Sequence, residues 1–356
     1  MTEPVLRPRP DLLDVAPYVS PQRPARYAMN TNESPYPPPG GLVDAVLEEL
    51  GATAFNRYPD NDARDLHEAI AGRNAWMQDG VWVANGSNEV LMHLFLAFGG
   101  PGRSALTFEP TYSLHTSVPR ITGTRVLSVP RADDLLIDLD DAVETVVREQ
   151  PDVVVVCSPN NPSGACEPIG TVRALLAEAP GVVLVDEAYI EFAEPSDSVR
   201  PLLEAHPNLV LVKTFSKAWR LAGVRIGYML ADPGLVAELK RVRLPYHLSA
   251  ITQAMGRAAV RFADETLATV EEIARERDRI AMELAAMGVK TYHSRANFIL
   301  FEVDDGDALW SELLERGVLV RNFSAQPGLS GCLRVTAGLR EENDAFIDAM
   351  RDALDA

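Results

Sequence analysis

Val153-Val154-Val155-Val156-Cys157-Ser158-Pro159-Asn160-Asn161-Pro162-Ser163-Gly164 is the stretch that decides the fold. Its apolar run lacks the polar alternation of a half-buried strand, and a turn-forming cluster follows at once. A strand buried on both faces of a parallel sheet has that texture. Val182-Val183-Leu184-Val185 repeats it and ends in Asp186. Around these two runs lie further strand candidates at 81–84, 104–108, 125–129, 209–213 and 225–230, mostly separated by helix-length segments. Helical patterns cover 42–50, 62–75 and 89–98. Residues 42–245 are therefore expected to form an α/β domain with a mainly parallel, doubly wound sheet.

Beyond residue 245 the texture changes. The stretch 265–287 places Leu267, Val270, Ile273, Ile280, Leu284 and Met287 on one helical face and stops at Gly288. Short strands are expected at 289–293, 298–303, 318–321 and 332–336, with helices at 307–316 and 341–354. Residues 246–356 thus read as a smaller α+β domain. At the other end, ten of the 26 prolines fall within residues 1–40. That density prevents long helices, so 1–41 reads as an extended arm, expected to pack with the small domain.

Composition narrows the function. With 356 residues, 47% apolar and 24% charged, the chain has the balance of a globular protein of about two domains. Acidic residues outnumber basic ones 51 to 33, a net charge of -18, which argues against nucleic acid or an anionic membrane as main partner. No apolar run approaches the ~18 residues of a membrane helix, and Met1-Thr2-Glu3-Pro4 does not open a secretory signal. Three cysteines fit neither a disulfide framework nor a metal cluster, so a reducing cytoplasm is expected and no metal. Cys157, inside an apolar strand, reads as an inert core thiol. Only four of the basic residues are lysines: Lys213, Lys217, Lys240 and Lys290. Lysine can lose its proton and attack a carbonyl where arginine cannot, so each lysine raises the question of amine chemistry. Lys240 and Lys290 read as surface charges.

Open α/β sheets bind ligands beyond the carboxyl ends of their strands. Asn161 follows 153–157, Asp186 and Tyr189 follow 182–185, Ser216 and Lys217 follow 209–213, and Arg225 is expected to begin the next strand. Each has a plainer reading when taken alone: a turn, a helix cap, a core aromatic, an ion pair. Together, a lysine, an aspartate and a phenol at successive strand ends are what a pyridine aldehyde cofactor requires. The lysine forms the Schiff base, the aspartate keeps the ring nitrogen protonated, and the phenol bonds the ring hydroxyl. Gly86-Ser87-Asn88 opens an apolar helix whose free N–H groups suit a phosphate, and Ser216, Thr214 and Arg225 add donors.

These runs resemble a known family. Thr214-Phe215-Ser216-Lys217-Ala218-Trp219-Arg220-Leu221-Ala222-Gly223-Val224-Arg225-Ile226-Gly227-Tyr228 is similar to the lysine motif of fold type I pyridoxal-phosphate aminotransferases. Ser158–Gly164 and Val185-Asp186-Glu187-Ala188-Tyr189 resemble that family's other two motifs, in order. Asn30–Pro35, Arg57-Tyr58-Pro59-Asp60, Ala84–Glu89, Leu244–Ser249 and Leu333-Arg334-Val335-Thr336 point within it to the histidinol-phosphate group. The one departure is Arg220, where a small residue is common.

The resemblance implies roles. Lys217 would form the Schiff base, Asp186 would pair with the pyridine nitrogen, Asn161 and Tyr189 would bond the ring hydroxyl, and Tyr112 would stack on the ring. Ser87, Asn88, Thr214, Ser216 and Arg225 would hold the phosphate of pyridoxal 5'-phosphate. Tyr58 would reach that phosphate in the neighbouring subunit, making a homodimer the active unit. Arg334, with Arg321 and Tyr18, would bind the substrate's anionic end. The implied reaction converts L-histidinol phosphate and 2-oxoglutarate to imidazole-acetol phosphate and L-glutamate, in histidine biosynthesis. The alternatives are an aromatic amino-acid aminotransferase, a decarboxylase of a phosphorylated amino acid, and a regulator without catalysis. The last calls for an additional DNA-binding module and a basic face, and neither is seen in this sequence.

Overall fold

The computed structural model describes residues 9–13, 15, 17 and 22–355. Its first strands are β1 (Tyr27–Ala28), β2 (Val81–Ala84), β3 (Ser104–Glu109), β4 (Arg125–Pro130), β5 (Val153–Cys157), β6 (Val182–Asp186), β7 (Leu209–Thr214) and β8 (Gly227–Leu230). Among them lie α1 (Gly40–Gly51), α2 (Arg64–Arg73), α3 (Ser87–Phe98), α4 (Leu114–Thr122), α5 (Leu139–Glu149) and α6 (Ile169–Glu178). There follow α7 (Pro233–Leu239), α8 (Ala250–Arg261), α9 (Ala263–Leu267) and α10 (Val270–Ala286). The chain closes through β9 (Lys290–Thr291), β10 (Phe298–Glu302), α11 (Gly306–Glu315), β11 (Val318–Leu319), β12 (Arg321–Asn322), β13 (Cys332–Thr336) and α12 (Arg340–Leu354).

The main sheet has seven strands in the order β2-β8-β7-β6-β5-β3-β4. β7, β6, β5, β3 and β4 are parallel, whereas β8 runs antiparallel to both its neighbours. The unbroken apolar runs have a simple cause. Val154, Val156, Val183 and Val185 enter one apolar layer with Leu66, Ile70 and Leu175 of α2 and α6. The alternate residues Val153, Val155, Val182 and Leu184 enter a second layer with Val90, Leu94 and Val236 of α3 and α7. Both faces are covered, so neither set of positions tolerates a polar side chain. Each fully buried side chain of this kind contributes about 1.5–3 kcal/mol.

Register brings the chemistry to one edge. Cys157 pairs with Asp186, Asp186 with Val212, and Gly227 with both Thr214 and Ala84. The carboxyl ends of β5, β6, β7 and β2 therefore meet the start of β8, because β8 alone is reversed. Arg225 does not begin that strand. It lies before it with a left-handed φ of 60°, closing the short turn Ala222–Val224.

The smaller unit is an antiparallel sheet, β12-β13-β10-β9, backed by α10, α11 and α12. β1 pairs in parallel with β11, Tyr27 opposite Val318, so the segment before α1 is tied to this unit. α8 packs instead against α1 and α2, beside the large sheet. The helix expected over 265–287 is interrupted at Ala268 and Thr269, between α9 and α10. At that break the Glu265 carbonyl accepts from Arg220, 3.3 Å away. Beyond it, Ile273, Ile280 and Leu284 form the buried face as their spacing required, and Gly288 ends it with φ 80°. Among the described residues no helix is long and apolar enough to cross a membrane.

Candidate active site

One crevice lies between the sheet edge and the smaller unit. Asn161, Asp186, Tyr189, Thr214, Ser216, Lys217 and Arg225 line it from the large sheet, joined by Ser87, Asn88 and Tyr112. Arg321 and Arg334 line it from the opposite side.

Asp186 ends β6 and is buried. Its Oδ1 accepts from the Ala188 amide at 3.0 Å, and its Oδ2 lies 3.0 Å from His115 Nε2. The other ring nitrogen, Nδ1, lies 3.1 Å from the Thr111 hydroxyl. His115, Cys157 and Asp186 bring their ligand-type atoms within 4.8 Å of one another. The hydrogen bond between ring and carboxylate, with the pairing of Cys157 opposite Asp186 across β5 and β6, accounts for their approach. Burial, then the Asp186 charge, drive the Cys157 thiol far above its ordinary pKa, so it stays protonated.

Two lysines four positions apart have opposite environments. At Lys213, on β7, burial opposes the charge, but Glu191 and Glu187, at 3.4 and 3.6 Å, overcome it and push the pKa up. Lys217, on the loop after β7, donates from Nζ to the Thr31 carbonyl at 2.9 Å. Burial, then the charge of Arg334, bring its pKa down to about 7 against the pull of Glu33, with a smaller contribution from Arg225. A neutral, nucleophilic amine is therefore populated near neutral pH.

The Tyr189 hydroxyl accepts from Asn32 Nδ2 at 3.0 Å and from Asn161 Nδ2 at 3.4 Å. Burial pushes its pKa up to about 12. Tyr112 donates to Asn88 Oδ1 at 3.3 Å and meets His115 edge-on, ring centroids 5.5 Å apart.

The far end suits an anion. Gly86 precedes α3 with φ 87°, and no side chain caps the helix. A Cβ on Gly86 would fall 2.6 Å from Arg225 Nη2, and one on Gly227 would fall 2.1 Å from the Ser87 nitrogen. Glycine at both positions lets the helix start and the guanidinium converge. Arg225 Nη1 also donates to Ser216 Oγ at 3.3 Å. Helix amides, hydroxyls and a guanidinium around one point make a phosphate site. Phosphate cradle, carboxylate, phenol and low-pKa lysine in sequence along the crevice match the donor set that pyridoxal phosphate needs.

On the opposite wall Arg334 pairs directly across β13 and β12 with Arg321. Its guanidinium donates to Asn161 Oδ1 and, at 2.9 Å, to the Asn30 carbonyl. It lies between the rings of Phe298 and Phe323, 4.9 and 5.2 Å from their centroids, and Arg321 lies over Phe323 at 5.8 Å.

The family model for aminotransferase class I and II matches residues 27–350. The chain belongs to the class I and II aminotransferases. A histidinol-phosphate aminotransferase of Mycobacterium avium is 46% identical over 351 residues, covering 96% of this chain and 87% of that one. Another, of Thermobifida fusca, is 46% identical over 351 residues, covering 97% and 95%. The crystal structure of histidinol-phosphate aminotransferase from Sinorhizobium meliloti, in complex with pyridoxal-5'-phosphate, superposes with a TM-score of 0.89 at 27% identity, covering 98% of each chain. The large domain with its parallel-dominant sheet, joined to a smaller domain, is the fold type I architecture of this aminotransferase family.

Tyr58, expected at the neighbouring subunit's site, does not line this aminotransferase chain's own crevice. Tyr58 is 79% exposed and stacks on Tyr246, centroids 4.3 Å apart. Tyr18 lies outside the described residues. Conversely, His115, Asn30, Asn32, Thr111 and Phe323 matter here and were given no role from sequence. The Asn30–Pro35 run was a family marker without an assigned contact. His115 stands three positions after Tyr112 in the first turn of α4, and that spacing was the available signal.

Proposed function

We propose that this aminotransferase converts L-histidinol phosphate and 2-oxoglutarate to imidazole-acetol phosphate and L-glutamate, in histidine biosynthesis in the cytoplasm. The observation that carries the reading is the pair Arg321 and Arg334, facing each other across adjacent strands on the wall opposite Lys217. Like charges paired across a sheet are unfavourable, and an anion bound between them reverses the sign. A phosphate ester with two charges profits more from two guanidinium groups than a carboxylate does.

Ser87, Asn88, Thr214, Ser216 and Arg225 would hold the phosphate of pyridoxal 5'-phosphate, Asn161 and Tyr189 its ring hydroxyl, and Tyr112 would cover the ring face. When bound, that cofactor supplies an aldehyde carbon and a ring able to accept an electron pair. Lys217 Nζ would carry the aldehyde carbon until the substrate amine displaces it. The freed amine, whose charge burial and Arg334 disfavour, would be suited to take the proton from the substrate carbon and deliver it to the carbon that the cofactor supplies. Asp186, held by His115 and the Ala188 amide, would keep a proton on the pyridine nitrogen. Asn161 donates to the Tyr189 hydroxyl and accepts from Arg334, so one hydrogen-bonded chain would orient both the ring hydroxyl and the substrate anion.

A homodimer is part of this reading, with Tyr58 of each subunit completing its partner's phosphate site. Its support is the stacked, exposed pair Tyr58 and Tyr246, near in sequence to the exposed Phe55 and Leu244.

The test combines labelling and kinetics. Borohydride reduction of the loaded protein should mark Lys217 alone. Transamination of histidinol phosphate should exceed that of phenylalanine by about tenfold or more in kcat/KM, the value of one additional charge-assisted contact. Label on Lys213, or equal rates with the two donors, would replace this reading with a different lysine or with an aromatic aminotransferase.

A further inference from the structure

Arg220 departs from the family's lysine motif, and its side chain is deeply engaged. It lies three residues beyond Lys217 and holds a left-handed φ of 59°, which disfavours any side chain larger than glycine. Its guanidinium donates to the Pro37 carbonyl at 3.2 Å, the Glu265 carbonyl at 3.3 Å and Thr269 Oγ1 at 2.7 Å. It also covers the Tyr36 ring, 5.6 Å from the centroid. Burial, then the neighbouring Glu272 on α10, raise the pKa of the Tyr36 hydroxyl. One side chain thus joins the loop of Lys217 to the segment before α1 and to the break between α9 and α10.

The segment 31–37 is held at both ends by the same loop. The Thr31 carbonyl accepts from Lys217 Nζ, and the Pro37 carbonyl accepts from Arg220. Between them the Asn32 amide donates to Thr336 Oγ1 at 3.0 Å, and its side chain donates to Tyr189. We infer that Arg220 is a positioning residue that staples segment 31–37 as a strap over the site, keeping the Thr31 carbonyl and the Glu33 carboxylate in place around the Lys217 amine. The inference rests on the reading of Lys217 as the reactive lysine.

The strap has a physical consequence for the amine. Glu33, Arg225 and Arg334 are the charges that act on Lys217, with Tyr189 beside it, and burial outweighs them all. Arg220 is not among those charges, so its removal acts on the amine only through the strap. Loosening segment 31–37 admits water and moves Glu33, and since burial dominates, the net effect is a rise toward the ordinary lysine value.

The experiment uses the cofactor-free full chain. Trace acetic anhydride labelling over a pH series, read on the Lys217 peptide, gives the midpoint of that amine. Hydrogen–deuterium exchange gives the protection of residues 31–37. In Arg220→Ala the midpoint should rise by about one pH unit or more, and exchange in 31–37 should quicken about tenfold as the strap opens locally. Arg220→Lys should recover part of both. Thr269→Val, nearly isosteric, should move both the same way by less. Wild-type values for both readouts in a folded Arg220→Ala protein would overturn the inference. If Arg220→Ala fails to fold, wild-type values in Thr269→Val would overturn it instead. A wild-type chain whose Lys217 takes no borohydride label on loading sinks the parent reading, independently of the strap.

Discussion

The two walls of the crevice carry cations for different purposes, and they are built differently. On the large-domain wall the functional groups stand in short turns after strands buried on both faces. Asp186 and Thr214 are the last residues of β6 and β7, and Lys217 follows three positions later. On the small-domain wall Arg321 and Arg334 project from within an antiparallel ladder and rest on phenylalanine rings. The first wall sets beside Arg225 a lysine whose charge is suppressed, and the second has two guanidinium groups whose charge is permanent. Reactive groups are placed where burial can alter their protonation. Recognition groups are of a type that burial leaves charged.

The largest effect expected on the chemical wall comes from Asp186→Asn. It keeps the shape and removes the charge proposed to hold a proton on the pyridine nitrogen. Cofactor absorbance should persist while kcat falls about a hundred- to a thousandfold, the range for loss of one preorganised electrostatic group. Near-normal kcat would mean that the two walls do not differ in the way described.

On the recognition wall the losses should be smaller and should appear in binding. Arg334→Ala should raise KM in both half-reactions by about ten- to a hundredfold, since glutamate and the phosphorylated donor would share it. Arg321→Ala should weaken histidinol phosphate by about tenfold and leave phenylalanine nearly unchanged. Equal losses for the two donors would remove the phosphate argument and leave a general anion site.

The smallest effect sharpens the contrast through pH. The pKa of Lys217 falls to about 7 in the folded chain from an ordinary 10.5. Between those values the unfolded chain holds a proton that the folded chain has released, so stability rises with pH across that window. Below it the folded chain must accommodate the buried charge. In the cofactor-free protein Lys217→Met should therefore raise Tm, by several degrees at about pH 6 and by less at about pH 9. A gain that does not depend on pH would show that the Lys217 charge is not suppressed by folding.

Much of the chemical wall is readable in the chain because its cause is local. The bounds of β5 and β6 follow from apolar runs that cannot be half-buried, and once those strands are parallel neighbours their following turns must share an edge. Asn161, Asp186 and Lys217 are therefore expected at one edge from the sequence alone. The recognition wall is less readable, since only pairing in the β12–β13 ladder makes Arg321 and Arg334 neighbours, thirteen positions apart in sequence.

By itself the amino-acid sequence determined the class of fold, the strand ends that carry the reactive groups, and the low-lysine background against which Lys217 stands out. The tertiary structure alone decided that β8 is reversed, which brings the start of that strand rather than its end to the crevice and sets Arg225 before it. It alone joined His115 to Asp186, divided the expected 265–287 helix at Thr269, and connected Arg220 to Pro37 and Glu265. The physical reason is range. Hydrophobic period and turn chemistry act over a few residues and are written in the local sequence. Hydrogen bonds between groups dozens to hundreds of positions apart exist only once both have been carried to the same place.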